Sequence, residues 1–195
     1  MNSAAGIAVQ KLGPMHRPQI LRQLLRLPAE DRRLRFGVPV RDFAIEAYVA
    51  GIDFTRDRVF GVLGADMEML GIAHLALDPA AQAAELGLSV DPSARGKGYG
   101  YALLQRSVLH ATNLGYAALF MHCLAENQIV MHLARKAGLT LMVESGEADG
   151  RLSLEHRTRA GTLKEAMEDQ FALVDYLLKQ QYSWLGRPRQ AELAH

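Results

Sequence analysis

Glu85-Leu86-Gly87-Leu88-Ser89-Val90-Asp91-Pro92-Ser93-Ala94-Arg95-Gly96-Lys97-Gly98-Tyr99-Gly100 is the stretch on which the reading of this chain turns. Its first six residues predict a strand, and Asp91-Pro92-Ser93 closes it. The glycines lead into a helix on which Leu103, Leu104, Val108, Ala111 and Leu114 form one apolar stripe, ended by Gly115. Strand, glycine loop and helix start, in that order, make a place for an anion. Gly96, Gly98 and Gly100 have no side chains, so backbone N–H groups can turn inward and approach a ligand closely. The helix start adds a partial positive charge, and Arg95 and Lys97 add full ones. A pyrophosphate matches this set best.

Spacing excludes two familiar phosphate loops. A nucleoside-triphosphate loop needs Gly-x-x-x-x-Gly-Lys followed by Ser or Thr, whereas Gly98 follows Lys97 here. A dinucleotide fold needs Gly-x-Gly-x-x-Gly and an acidic residue about 20 positions on. The glycines at 96, 98 and 100 give Gly-x-Gly-x-Gly instead, and position 120 is Phe.

Working outward, Val59-Phe60-Gly61-Val62-Leu63 and Met69-Leu70-Gly71-Ile72-Ala73-His74-Leu75 read as a hairpin around Gly64-Ala65-Asp66. Upstream, residues 5–12 predict a short first strand ended by Gly13-Pro14, and residues 18–27 carry apolar positions at helical spacing. Pro28 stops that helix or starts the next, and a further helix is expected over 41–51. Downstream, residues 117–124 read as a fifth strand, and Asn127 can cap a helix over 128–137 that ends at Gly138. Residues 139–144 and 152–156 are expected to close the sheet as a hairpin around Gly146 and Gly150. Thr162 and Glu165 suggest a capping box for a last helix to about Tyr182. Its stripe of Leu163, Met167, Phe171, Val174 and Leu178 is expected to pack on the body of the domain, with a homodimer through this helix as the other reading. The order predicts an α/β (α+β) fold, part antiparallel, with one parallel crossover. Residues 1–158 would form the domain and 159–195 a helical extension.

Composition narrows the classes. The 195 residues are 49% hydrophobic and 22% charged, with a formal charge of +1, so no global charge calls for nucleic acid or an anionic membrane. Arg22, Arg26, Arg32, Arg33 and Arg35 gather near the N-terminus and read as a solvated face. They lack the interleaved aromatics of a nucleic-acid surface. No apolar run approaches the roughly 20 residues that span a bilayer. The first residues show no secretory signal, and the single cysteine, Cys123, fits a reducing compartment, so a cytoplasmic protein is expected.

At Arg95, Gly98 and Gly100 the sequence resembles the Gcn5-related N-acetyltransferase (GNAT) superfamily, whose signature is Arg or Gln, two residues, Gly, one residue, Gly or Ala. Val90-Asp91-Pro92 resembles the end of that family's fourth strand, and the resemblance covers residues 55–156. The N-terminal helices correspond to the family's variable acceptor side. The resemblance implies a mostly antiparallel central sheet flanked by helices, with splayed fourth and fifth strands. It implies acetyl-CoA as co-substrate, no metal, and an amine acceptor that is a small molecule, a protein lysine or an N-terminus. Carried over, the N–H groups of Gly96, Lys97, Gly98, Tyr99 and Gly100, with Arg95, would hold the pyrophosphate. Main-chain groups of Leu88, Ser89 and Val90 would line the pantetheine arm, and Asn127 would touch it or serve only as a helix cap.

Direct attack by an amine needs a proton acceptor. Glu85 stands where relatives carry such a base, and His74 on the neighbouring strand has a suitable unperturbed pKa. Glu85 reads equally well as an exposed strand-end residue, and a lone histidine on an apolar strand is usually only packed. Many family members carry a tyrosine in the last helix to protonate the thiolate, but Ala134 occupies that place. Asn127, Met131, Leu133 and Ala134 resemble the pattern of domains that modify protein lysines. The missing tyrosine keeps a second class open, a non-catalytic sensor that binds acetyl-CoA. Cys123 reads as a buried small residue, not a nucleophile.

Overall fold

A computed structural model describes residues 6–185; residues 1–5 and 186–195, which include the first residue of the expected first strand and the end of the expected extension, lie outside it. Seven strands form one sheet: β1 (Gln10–Leu12), β2 (Arg58–Leu63), β3 (Met69–Asp78), β4 (Ala83–Val90), β5 (Ala118–Leu124), β6 (Thr140–Glu144) and β7 (Glu147–Ser153). Their order across the sheet is β1-β2-β3-β4-β5-β7-β6. Six helices flank it: α1 (Arg17–Leu25), α2 (Ala29–Phe36), α3 (Asp42–Ala50), α4 (Tyr99–Leu114), α5 (Gln128–Lys136) and α6 (Arg159–Leu185). Among the strand pairs only β4 and β5 run parallel, because α4 carries the chain back over the sheet between them. The mixed, mostly antiparallel sheet is the fold the sequence predicts.

Strand alternation divides the core. Ala73, Leu75, Leu86, Leu88 and Leu119 face α4 and α5, where they meet Leu103, Leu104 and Ala134. Val59, Met69 and Ile72 face the other way, against Ile20 and Leu24 of α1 and Ile45 and Val49 of α3. The decisive irregularity lies between β4 and β5. They pair only at Ala83 with Ala118, Ala84 with Leu119 and Glu85 with Phe120. Both strands continue, to Val90 and Leu124, without pairing further. The splay opens a V whose backbone edges have no strand partner.

Several expectations shift. Helix α2 was not expected as a separate element. It starts directly after Pro28, the second of the two readings of that residue, and ends at left-handed Gly37 (φ 77°). It buries no residue, so its sequence carries no apolar stripe. The closing hairpin pivots on Ser145 and Gly146, both left-handed (φ 52° and 88°), so its second strand is residues 147–153, not 152–156. Gly150 lies inside β7, where an added Cβ would come within 3.0 Å of Leu139 and Leu141.

Helix α6 starts at Arg159, before the expected capping box. Thr158 Oγ1 accepts from Gly161 N at 3.0 Å, and Glu165 turns inward to Arg106, His110 and Asn113. Buried Ala172 marks the face that packs on the body. The stripe of Leu163, Met167, Phe171, Val174 and Leu178 is 48–65% exposed, so the body of the domain does not cover it, contrary to the expectation. No helix of the described residues is long and apolar enough to cross a membrane.

Candidate functional site

The V between β4 and β5 opens into a cleft of about 530 Å³. The glycine loop forms one wall: Gly96, Gly98, Tyr99 and Gly100 border the cleft with Arg95, and Leu88, Ser89 and Val90 lead into it. Gly96 (φ 75°) and Gly98 (φ 85°) are left-handed, a conformation that side chains resist. Gly98 is the N-cap of α4 and offers no capping side chain. Among the described residues nothing accepts a hydrogen bond from the N–H of Gly96, Lys97, Gly98, Tyr99 or Gly100, and the first paired amide is Ala102, to Gly98 O at 3.0 Å. The loop therefore presents consecutive free donors at a helix N-terminus of 16 residues. Gly100 serves packing as well, since a Cβ there would lie 3.1 Å from Leu133 Cδ1 on α5.

Ion pairs fix the loop's flanks. Asp91 accepts from Ser93 N (3.1 Å) and Arg26 Nε (3.1 Å), and Arg26 also donates to Met69 O at 2.7 Å. Burial opposes ionisation of Asp91, but the bonds from Ser93 and Arg26 outweigh it and hold the carboxyl below its usual range. Arg95 borders the cleft and pairs with Asp31 of α2 at 2.7 Å. Lys97 is exposed and does not border the cleft. Asn127 is 9% exposed, caps α5 by accepting from Val130 N (3.2 Å), and lines the cleft. The cap is therefore formed, and the same residue borders the cleft.

The opposite wall is α2, where Asp31, Leu34 and Arg35 recur at helical spacing. Sequence reasoning missed this wall and placed Arg35 on a solvated face. The available signal was the three-and-four spacing after Pro28. His132 of α5 also borders the cleft and was not singled out. At the inner end lies a small pocket of about 20 Å³, lined by Leu34, Arg35, Leu86, Gly87, Cys123 and Asn127 among others.

Neither Glu85 nor His74 borders the cleft. Glu85 is exposed at the last β4–β5 pair and faces a separate open groove of about 540 Å³ with Arg56, Asp78, Phe120 and His122. His74 lies beside Gly87 on the face toward α3, with both ring nitrogens engaged. Arg35 Nη2 lies 3.0 Å from Tyr48 Oη, Tyr48 Oη lies 2.6 Å from His74 Nδ1, and His74 Nε2 lies 3.1 Å from Asp57 Oδ2. A guanidinium only donates. Tyr48 therefore accepts from Arg35 and turns its proton to His74 Nδ1, and Nε2–H donates to Asp57. Burial lowers the His74 pKa; Asp57 opposes this incompletely, and Arg35 and Arg56 add to the lowering. The lowered pKa favours neutral His74, the form in which Nδ1 accepts from Tyr48. Burial, aided by Asp149, raises the Cys123 pKa, so the thiol stays protonated.

Comparison with known proteins agrees with this geometry. The model of the acetyltransferase (GNAT) family matches residues 22–139. A 55-residue segment is 38% identical to mycothiol acetyltransferase of Propionibacterium freudenreichii subsp. shermanii; it is 28% of this chain and spans only 18% of that relative's length. Solved structures share the fold. The GNAT domain of S. lividans PAT superposes with a TM-score of 0.65 at 17% identity, over 75% of this chain and 89% of that one. An N-acetyltransferase from Staphylococcus aureus Mu50 gives 0.59 at 20%, over 77% and 100%. Spermidine N-acetyltransferase from Vibrio cholerae, in complex with CoA and spermine, gives 0.58 at 19%, over 74% and 92%. With more than half of its residues inside the family model and the splayed sheet in place, this chain belongs to the acetyltransferase (GNAT) family.

Proposed function

We propose that the chain is an N-acetyltransferase that moves the acetyl group of acetyl-CoA to a primary amine by direct attack within a ternary complex. The observation that carries this reading is the run of unpaired amides at 96–100, set at the mouth of a cleft where two strands part. In this reading the amides and Arg95 hold the pyrophosphate, and Lys97 adds long-range attraction. Main-chain groups of Leu88, Ser89 and Val90 line the pantetheine arm, and Asn127 closes over it. A β4 N–H facing the V stabilises the developing oxyanion. The carbon–nitrogen bond forms first, at the thioester carbonyl, and the carbon–sulfur bond breaks as the tetrahedral oxyanion collapses and expels the thiolate. The amine's proton leaves to Glu85, through water across the strand edge, or to His74 through Tyr48. Ala134 has no hydroxyl, so another group or water protonates the thiolate, or the thiolate leaves unassisted.

Coenzyme A release with a panel of amines tests the reading. A non-catalytic acetyl-CoA sensor is the second reading, favoured by Ala134 and by the absence of both candidate bases from the cleft. Calorimetry with acetyl-CoA separates the two: a sensor binds it and releases no coenzyme A with any amine. The uncovered stripe on α6 supports a homodimer through that helix, which sedimentation with Phe171→Glu tests. The free thiol and lack of any spanning helix among the described residues support a cytoplasmic location.

A further inference from the structure

We propose that Arg35 is the receptor for a carboxylate on the acceptor, so that this chain acetylates amines that also carry a carboxylate in preference to polyamines and other purely cationic amines. The inference rests on the acetyl-transfer reading and names its substrate class.

Charge pairing on α2 leaves one arginine without a carboxylate among the described residues. Arg32 pairs with Asp42, and Arg33 with Glu30 and Glu126. Arg35, on the same helix, pairs with no carboxylate among the described residues. Its Nη2 donates to Tyr48, and its Nε is buried without any partner. Nε is sealed from solvent, so an anion from the cleft would meet Nη1, which has no partner among the described residues. The fork is also held in place. It stacks on the rings of Phe36 and Tyr48, 5.0 and 5.7 Å from their centroids. Tyr48 is itself fixed by His74 and Asp57. The guanidinium lies on Gly87, where any Cβ would collide with it. A guanidinium aimed in this way matches the geometry of a carboxylate.

Position assigns the carboxylate to the acceptor. Gly87 lies just past the last β4–β5 pair, at the inner end of the V, while the amide run and Arg95 occupy the outer end. Arg35 lies on Gly87, three residues before Val90 at the loop end of β4, on the cleft wall opposite the loop. The inner pocket holds about 20 Å³, against the roughly 10–15 Å³ that one water needs. It holds about one water, so a carboxylate reaches Arg35 from the larger cleft, which Arg35 also borders. The same cation repels a second ammonium, which disfavours polyamines.

The test is calorimetry on the full chain saturated with coenzyme A, titrated with glycine, β-alanine, 4-aminobutyrate and glutamate, with their carboxamides, and with spermidine. The expected result is at least tenfold tighter binding of one or more carboxylates than of the matching carboxamide. Arg35→Gln should abolish that preference, weakening the carboxylate about 10- to 100-fold and leaving the carboxamide and coenzyme A within about threefold. Tyr48→Phe, which removes only the anchoring hydroxyl, should reduce the preference by about 3- to 10-fold and guards against misfolding of the first variant. Equal binding of carboxylates and carboxamides, tighter binding of spermidine, or a preference that survives Arg35→Gln overturns the proposal. So does an Arg35-dependent preference for succinyl-CoA over acetyl-CoA, which would place the carboxylate on the acyl group. Because binding is read without turnover, carboxylate selectivity without coenzyme A release would refute acetyl transfer and leave this assignment intact.

Discussion

Gly98→Ala probes the anion site most sharply. Residue 98 sits at φ 85°, ψ 0°, and a Cβ there would lie 3.4 Å from Ile7 Cδ1, close but tolerable. Space is not the obstacle; conformation is. An alanine held left-handed costs about 1–2 kcal/mol. If the chain escapes that cost by rotating residue 98, the N–H groups of Tyr99 and Gly100 swing off the anion. Two hydrogen bonds to a charged group, at about 1.5–3 kcal/mol each, would then be lost. Affinity for acetyl-CoA should fall by about 100-fold or more, while the melting temperature drops by only a few degrees. Gly115→Ala is the matched control, with φ 86° and no neighbour within 4 Å of its added Cβ, at the far end of the same helix. It should lower the melting temperature similarly and leave acetyl-CoA affinity unchanged. Calorimetry and thermal melts on both variants decide the matter. Equal effects of the two on affinity would refute the reasoning, because strain alone would then explain the loss.

Other expectations follow from buried charge. Burial works against ionisation of Glu165, but bonds from His110 and Asn113 and the charge of Arg106 hold its pKa at about 2 instead of 4.5. Its contribution, about 3 kcal/mol, is full above pH 4.5 and is lost as pH falls toward 2. Glu165→Gln should therefore be less stable at pH 7 and lose less on acidification, as denaturant midpoints across pH will show. His74 has the opposite chemistry and the same sign: the folded chain prefers it neutral, so stability present above pH 6.5 falls as pH drops below that value. His74→Gln should flatten that part of the profile. Glu85→Gln and His74→Gln, assayed separately, should shift the acid limb of the kcat/KM profile in at least one case, and unchanged limbs in both would defeat the base assignment. Leu103→Ala, at a fully buried position against the sheet, should cost about 2–5 kcal/mol of stability in urea melts.

The parts legible in the sequence were those with a periodic or conformational signature. The stripe on α4, except its last member Leu114, which is exposed, the left-handed glycines at 96 and 98 and the Asn127 cap each follow from local chemistry. What stayed hidden depends on partners distant in sequence. Helix α2 buries nothing, so no apolar stripe marks it, and only the spacing of Asp31, Leu34 and Arg35 hints that it supplies a wall of the cleft. The link from Arg35 through Tyr48 and His74 to Asp57 joins four elements or loops, and no spacing rule connects them. Glu165 looked like a capping residue by its distance from Thr162, but three polar side chains on α4 outcompete the helix's own amides for it. Exposure of the α6 stripe was equally unreadable, because an amphipathic helix has the same sequence whether its apolar face meets the domain, a second copy or water.

The central claim is that the amides of 96–100 converge on a diphosphate. Amide NMR of the labelled chain tests it directly by titration with coenzyme A, with pantetheine as a phosphate-free comparison. The N–H resonances of Gly96, Gly98 and Gly100 should move downfield with coenzyme A and stay in place with pantetheine, while residues along β4 respond to both. Coenzyme A binding that leaves those three amides unmoved, or no binding at all, would contradict the account.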